Sequence, residues 1–167
     1  PVLRHSLRVV CVEPQPSVFE CLALSLNLLR NVVCVNAVVA EQDGYVEVDS
    51  NFLASRSLQS PEVSTVPARA INAAQIATYF PEKTVDLCQI NIEGAERWVV
   101  PLLLNSPLRV RRFMIGCHDF RAERGHGETF RTRRLVENCL QERGYELLGW
   151  STGIDHVDDW IYAEARS

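Results

Sequence analysis

Short apolar runs alternate along this chain with stretches whose apolar residues recur every three or four positions. Residues 7–12 are almost continuously apolar and predict a buried strand. The run stops at Glu13, and Pro14-Gln15-Pro16 follows. Pro16 suits a first helical turn, where its missing N–H costs nothing. Phe19, Leu22, Leu26 and Leu29 then repeat at helical spacing, so a helix is expected over 17–29, with Asn31 as its stop. A second buried strand is predicted at 32–39. A short alternating strand is predicted at 44–48, after the Asp43-Gly44 turn signal. Residues 51–61 are polar and serine-rich and read as a loop. Residues 63–68 read as a strand. Residues 72–79 read as a short helix with Asn72 as N-cap.

The stretch 85–96 organises the second half. Val85, Leu87, Cys88, Ile90 and Ile92 describe a strand covered on both faces. Asn91, Glu93 and Glu96 gather polar groups where it ends, and Gly94 permits a sharp turn. A helix over 95–104 follows, with Pro101 expected to kink or shorten it. The next strand, 110–117, ends in His118-Asp119. A charged loop is expected at 121–127 and a helix at 128–143, with Leu135, Val136, Cys139 and Leu140 on one face and Gly144 closing it. Residues 145–150 and 160–165 read as an antiparallel strand pair. The order is β-α-β, a hairpin insertion, then α-β-α-β-α-β-β. That alternation predicts an α/β fold, a parallel sheet with helices on both faces, in a single domain spanning 1–167.

Composition narrows the classes. The 167 residues suffice for a sizeable core, and 47% of them are apolar, which separates the chain from disordered sequences. A formal charge of −4 gives no support for a nucleic-acid binder. The longest apolar stretch, 98–104, is short and interrupted by Pro101, so no membrane span is expected. The six cysteines form no CxxC pair, and no histidine lies at metal-ligand spacing from one, so no metal site is expected. Buried free thiols are expected, which suggests a soluble protein of a reducing compartment. Arginine outnumbers lysine sixteen to one, and eight arginines against three acids between 109 and 134 raise the question of a basic patch. The chain opens at Pro1 rather than at methionine, and residues upstream of it are expected.

Ligands of open α/β sheets bind outside the carboxyl ends of the strands. Glu13, Asn91, Glu93 and His118 fall there by this reading. The residues VVCVEPQPSVFECL (9–22), Asn27 with Asn31, NAVV followed by Gly44, and VDLCQINIEGAE together resemble the FkbM-type family of S-adenosylmethionine (SAM)-dependent methyltransferases. That family's second strand ends in a similar VEPxP stretch, and its fourth reads roughly VDLIKIDVEGAE. The resemblance covers most of the chain from Val9 onward, and the final strand pair is one associated with class I methyltransferases.

The resemblance implies a Rossmann-like class I methyltransferase sheet, with SAM as cofactor and O-methylation of a glycan, lipid or natural product as activity. It implies that Glu13 binds the ribose hydroxyls and that Asn36 and Ala37 lie near the adenine. Asn91 and Glu93 face the donor methyl and the acceptor, Glu96 contacts the acceptor, and His118 serves as general base. The departures are specific. Gln89 and Asn91 replace a Lys and an Asp, and Asn72 stands where an acid is common. The glycine-rich first strand and loop are absent before Leu7, so the sheet is expected to lack its first strand within this numbering. A segment upstream, or a partner protein, is expected to complete it. The alternative reading is a methyltransferase fold that has lost its chemistry and acts as an interaction module. A nicotinamide-binding domain is a more distant third.

Overall fold

The computed structural model describes residues 7–49, 65–149 and 151–166. The fold is mixed α/β. The chain divides into two compact units, Pro1–Gln75 and Ile76–Ser167. The loop expected at 51–61 lies outside the described residues.

In the first unit, β1 (Val9–Val12) leads through α1 (Pro16–Leu26) to β2 (Val32–Val35), and the two strands pair in parallel. Pro16 sits in the first turn of α1, as its fixed φ favours. The strand expected to run unbroken to residue 39 stops at Val35. The Asn36 amide turns back to donate to the carbonyls of Glu13 (2.8 Å) and Pro14 (3.1 Å). β3 (Val38–Val39) then joins a second ladder. There β5 (Thr65–Ile71) lies between β3, which is parallel to it, and β4 (Gly44–Asp49), which is antiparallel. Val35, Ala37, Ala70 and Ile71 are buried. The burial expected of residues 7–12 and of the α1 stripe is not met. β1 is only half-buried, the stripe residues Phe19, Leu22 and Leu26 are likewise half-buried, and Leu29, past the end of α1, is exposed. Among the described residues, β1 has β2 as its one strand partner and α1 packs chiefly on β2. Asn72 caps α2 (Ala73–Thr78) as predicted, its Oδ1 accepting from the Gln75 N–H at 2.8 Å.

In the second unit the organising strand is two pieces, β6 (Thr84–Val85) and β7 (Cys88–Ile90). Its parallel neighbour is likewise broken at Arg111, into β8 (Arg109–Val110) and β9 (Arg112–Gly116). α3 (Glu96–Leu104) connects them, with Pro101 inside it. The predicted charged loop begins instead as α4 (Asp119–Glu123). The predicted helix over 128–143 resolves into a 3₁₀ turn (Glu128–Phe130) and α5 (Arg133–Glu142). Its face is correct in part: Val136 and Leu140 are buried, whereas Leu135 is exposed and Cys139 half-buried. Gly144, at φ 80°, ends the helix and donates to the Gln141 carbonyl.

β10 (Tyr145–Leu148) and β11 (Trp160–Ala165) pair antiparallel, as expected. The short helix α6 (Asp155–Asp158) lies between them in sequence. The spatial order is β10-β11-β9-β7, so β11 lies between its hairpin partner and β9 and runs antiparallel to both. α5 packs on α3 and on β10. Phe113, Ile115, Val100, Val136, Leu140, Ile161 and Ala163 form the core. The Tyr145 ring meets Phe113 edge-on at 5.4 Å, and its hydroxyl donates to the Val110 carbonyl at 2.6 Å.

All six cysteines are free, but Cys117 alone is buried and Cys21 is exposed. Burial pushes the Cys117 thiol up to about 12, so it packs as an inert apolar group. Six of the eight arginines between 109 and 134 are paired with carboxylates: Arg111 with Asp86, Arg112 with Glu164, Arg121 with Glu93, Arg124 with Asp155, Arg131 with Glu128 and Arg133 with Glu137. Most arginines of the segment thus stand in separate ion pairs rather than as unpaired charges. No helix among the described residues is long and apolar enough to cross a membrane.

Candidate functional site

β7 and β9 are parallel neighbours, so their carboxyl ends release the chain side by side. Asn91 follows β7 and His118 follows β9. A cavity of about 390 Å³ opens there, lined by Asn91, Glu93, Gly116, Cys117, His118, Phe120, Arg121, Arg124, His126, His156 and Trp160. Gly116 makes room for the amide. A Cβ on it would lie 3.1 Å from Asn91 Oδ1 and 3.3 Å from the Trp160 ring.

The strand-to-helix turn after Asn91 is made by two left-handed residues, Glu93 (φ 56°) and Gly94 (φ 102°). A left-handed glutamate is disfavoured and persists only where its surroundings hold it. Two contacts do so. Arg121 donates to Glu93 Oε2. The Glu96 carboxylate accepts from the Ile92 N–H (3.2 Å) and the Gly94 N–H (2.8 Å). Gly94 also passes so close to Thr129 that a Cβ would meet its carbonyl oxygen at 3.0 Å.

Glu96 therefore does not occupy the place expected of an acceptor contact. It is fully buried, lies at the first position of α3, and does not line the cavity. The two left-handed residues rotate the chain so that Glu93 faces the opening while Glu96 folds beneath the turn. His118 is 93% buried, its relative exposure being 7%, and stands between the two acids. Its Nδ1 is 3.2 Å from Glu96 Oε1, and its Nε2 is 3.5 Å from Glu93 Oε1.

Around this core, Arg121 lies 4.9 Å from the Phe130 ring and Arg124 5.2 Å from the Phe120 ring. Asp119 Oδ1 accepts from the N–H groups of Thr132 and Arg133, which fixes the start of α5. The Phe120 N–H donates to Asp159 Oδ2. Among the described residues no group of three or more His, Cys, Asp or Glu side chains is placed to hold a metal ion.

Gln89 and Asn91 are both exposed, while Ile90 between them is buried, so they share a face as the strand period requires. A charge restored at either position would therefore face solvent rather than the core.

Glu13, Asn36 and Ala37 belong to the first unit and come together at the carboxyl ends of β1 and β2. Glu13 is half-buried, and its Oε1 accepts from the Gln15 N–H at 2.7 Å. A carboxylate has further acceptor capacity, so Glu13 fits the vicinal hydroxyls of a ribose. The Asn36 NH₂ is spent on the Glu13 and Pro14 carbonyls, and so is not offered to a base. Ala37 is buried and brings no polar side chain.

Sequence reasoning found Asn91, Glu93 and His118, which the structure brings to one cavity. It missed Phe120, Arg124, His126, His156 and Trp160 as lining residues. Aromatic and histidine residues flanking the 118–127 and 154–160 turns were the available signal. Comparison with protein-family models, with curated proteins and with solved structures gave no match.

Proposed function

We propose that the chain is a SAM-dependent methyltransferase domain of the FkbM type that methylates a hydroxyl of a glycan, lipid or natural product. The observation that carries this reading is the cavity at the carboxyl ends of β7 and β9, which gathers Asn91, Glu93 and His118. The strand order β10-β11-β9-β7, with β11 the inserted antiparallel strand, supports it.

When bound, SAM supplies an electrophilic methyl group on a positively charged sulfur. Glu13 would hold its ribose. The chain's other residues act on the acceptor. Asn91 can orient the hydroxyl by its amide, which donates and accepts but carries no proton away. His118 Nε2 would accept the proton of the acceptor hydroxyl. Arg121 neutralises Glu93, so that carboxylate helps shape the wall without competing for the same proton. Phe120 and Trp160 give the cavity apolar surface against the body of the acceptor. Alignment of this kind can supply much of the rate.

The test is calorimetry of SAM on the full-length protein, followed by a methyl-transfer assay. Loss of one charged hydrogen bond costs about 1.5–3 kcal/mol, so Glu13→Ala should weaken SAM binding on the order of ten- to a hundredfold. Equal affinity in mutant and parent removes Glu13 from the site. His118→Gln should lower turnover by about 10²–10⁴ while leaving SAM affinity unchanged.

One feature favours the second reading, a silent interaction module: amides stand at Gln89 and Asn91. Absence of SAM binding by the full-length parent supports that reading. Gain of turnover in the double variant Gln89→Lys, Asn91→Asp, with a silent parent, would locate the loss of chemistry at those two positions.

A further inference from the structure

We infer that Glu96 is a positioning residue that fixes the tautomer of His118, with the proton on Nδ1 and the Nε2 lone pair turned to the cavity. Its use in catalysis rests on the methyltransferase reading; the tautomer itself does not.

The argument is an inventory of donors and acceptors in a closed space. The Glu96 carboxylate is fully buried and must find its donors in the protein. Oε2 accepts from the Gly94 N–H (2.8 Å) and the Thr132 hydroxyl (3.4 Å). Oε1 accepts from the Ile92 N–H (3.2 Å) and has one lone pair left, with His118 Nδ1 at 3.2 Å. Nδ1 is buried and makes no aligned hydrogen bond to any group, the 3.2 Å approach to Glu96 Oε1 included. An unprotonated Nδ1 would set its own lone pair against a buried carboxylate oxygen. A proton on Nδ1 turns the same approach into an attraction, and a small ring rotation aligns it.

The other groups around the imidazole do not ask for a proton on Nε2. Glu93 Oε1 is 3.5 Å from it, longer than an ordinary hydrogen bond, and Oε2 of the same carboxylate is taken by Arg121. Asp119, next in the chain, spends Oδ1 on the start of α5. Nε2 is thus the nitrogen available for a hydroxyl entering the cavity. Glu96 touches no part of that cavity and acts through the ring.

Long-range proton–nitrogen NMR of the ¹⁵N-labelled full chain reads the tautomer directly, without cofactor or acceptor. His118 is assigned by comparison with His118→Gln, at a pH above the imidazole titration. The parent should show Nδ1 protonated and Nε2 bare. In Glu96→Gln the amide oxygen keeps the shorter bond from Gly94, so the NH₂ takes the place of Oε1, gives up the longer bond from the Ile92 N–H, faces Nδ1 and drives the proton to Nε2. Turnover in that variant should fall on the order of a hundredfold with KM unchanged, as expected when a base loses its lone pair. Glu96→Asp, which keeps the carboxylate, should restore the parent tautomer. An Nε2–H form in the parent, or an imidazolium persisting at that pH, overturns the inference, and this spectrum decides even if Glu96→Gln does not fold. The expected tautomer in a protein that fails to bind SAM would overturn the methyltransferase reading and leave this one standing.

Discussion

Gly94 is the residue on which the strand-to-helix turn depends most directly. Its φ of 102° is one that side chains rarely adopt, and Thr129 closes the space a Cβ would take. Gly94→Ala should therefore cost about 2 kcal/mol or more, read as a fall in denaturation midpoint with unchanged slope. A variant as stable as the parent would show that the turn has a cheap alternative path. The neighbouring Glu93 carries a smaller version of the same strain, held by Arg121. Its position explains why Glu96 could not be placed from sequence. Both acids follow one strand end, and the pattern assigns both to the rim. The handedness of two residues in the turn separates them. No apolar periodicity encodes that handedness, although an acid in a helix's first turn is an ordinary sign of a structural role.

Among the elements, α5 begins without help from its own N-cap. Thr132 makes no side-chain capping bond, and Asp119 of α4 serves the first free N–H groups instead. Asp119→Ala should cost about 1–2 kcal/mol, the range for a lost cap, and hydrogen exchange should quicken at Thr132 and Arg133 before the rest of α5. Protection unchanged at those amides would rule the cap out.

The same borrowing shows where the sequence ran out. Strands and long helices were legible because each carries its own apolar period: β4, β5, β10 and β11 fall close to their expected bounds. α4 was missed because a bond that secures its first turn, from the Phe120 N–H to Asp159, comes from 39 positions away. The breaks at Asp86-Leu87 and at Arg111 coincide with charged residues, Asp86 and Arg111-Arg112, which the apolar residues on either side had outweighed. Asn91 and His118 were found because parallel pairing brings the ends of consecutive strands together whatever the loops do. Arg124 and His126 come from the turn after α4, and His156 comes from the short helix α6, which the apolar pattern does not announce.

At the scale of the whole molecule, acid should act on the carboxylates in opposite senses. Asp158 is held below the usual carboxylate range, first by the Thr152 N–H and then by the Thr152, Gly153 and Ser151 groups around it. Its folded value lies below its unfolded one, so its contribution is present above the ordinary Asp range and is lost as pH falls through the depressed value. Asp159 is raised, first by desolvation. Its ionised form opposes folding at neutral pH, and that opposition is relieved on acidification. Asp158→Asn should therefore melt lower than the parent at pH 7, with the gap closing toward pH 2. Asp159→Asn, which keeps an acceptor for Phe120, should lose its relative advantage over the same range. Parallel melting curves at all pH values would contradict both.

The insertion of β11 between β9 and β10 has a consequence for the order of synthesis. Four strands are made in the sequence β7, β9, β10, β11, yet the last of them is the one that joins two others. When β10 leaves the ribosome it has no neighbour in the sheet, and β9 has β7 on one side and an open edge on the other. The wait is short in residues, from Leu148 to Trp160, on the order of a second at ordinary elongation rates. During that interval the two edges that β11 will cover, one on β9 and one on β10, stand open on a nascent chain. A ribosome stalled in that interval would leave a product with β7, α3, β9 and α5 already made and with no way to close the sheet.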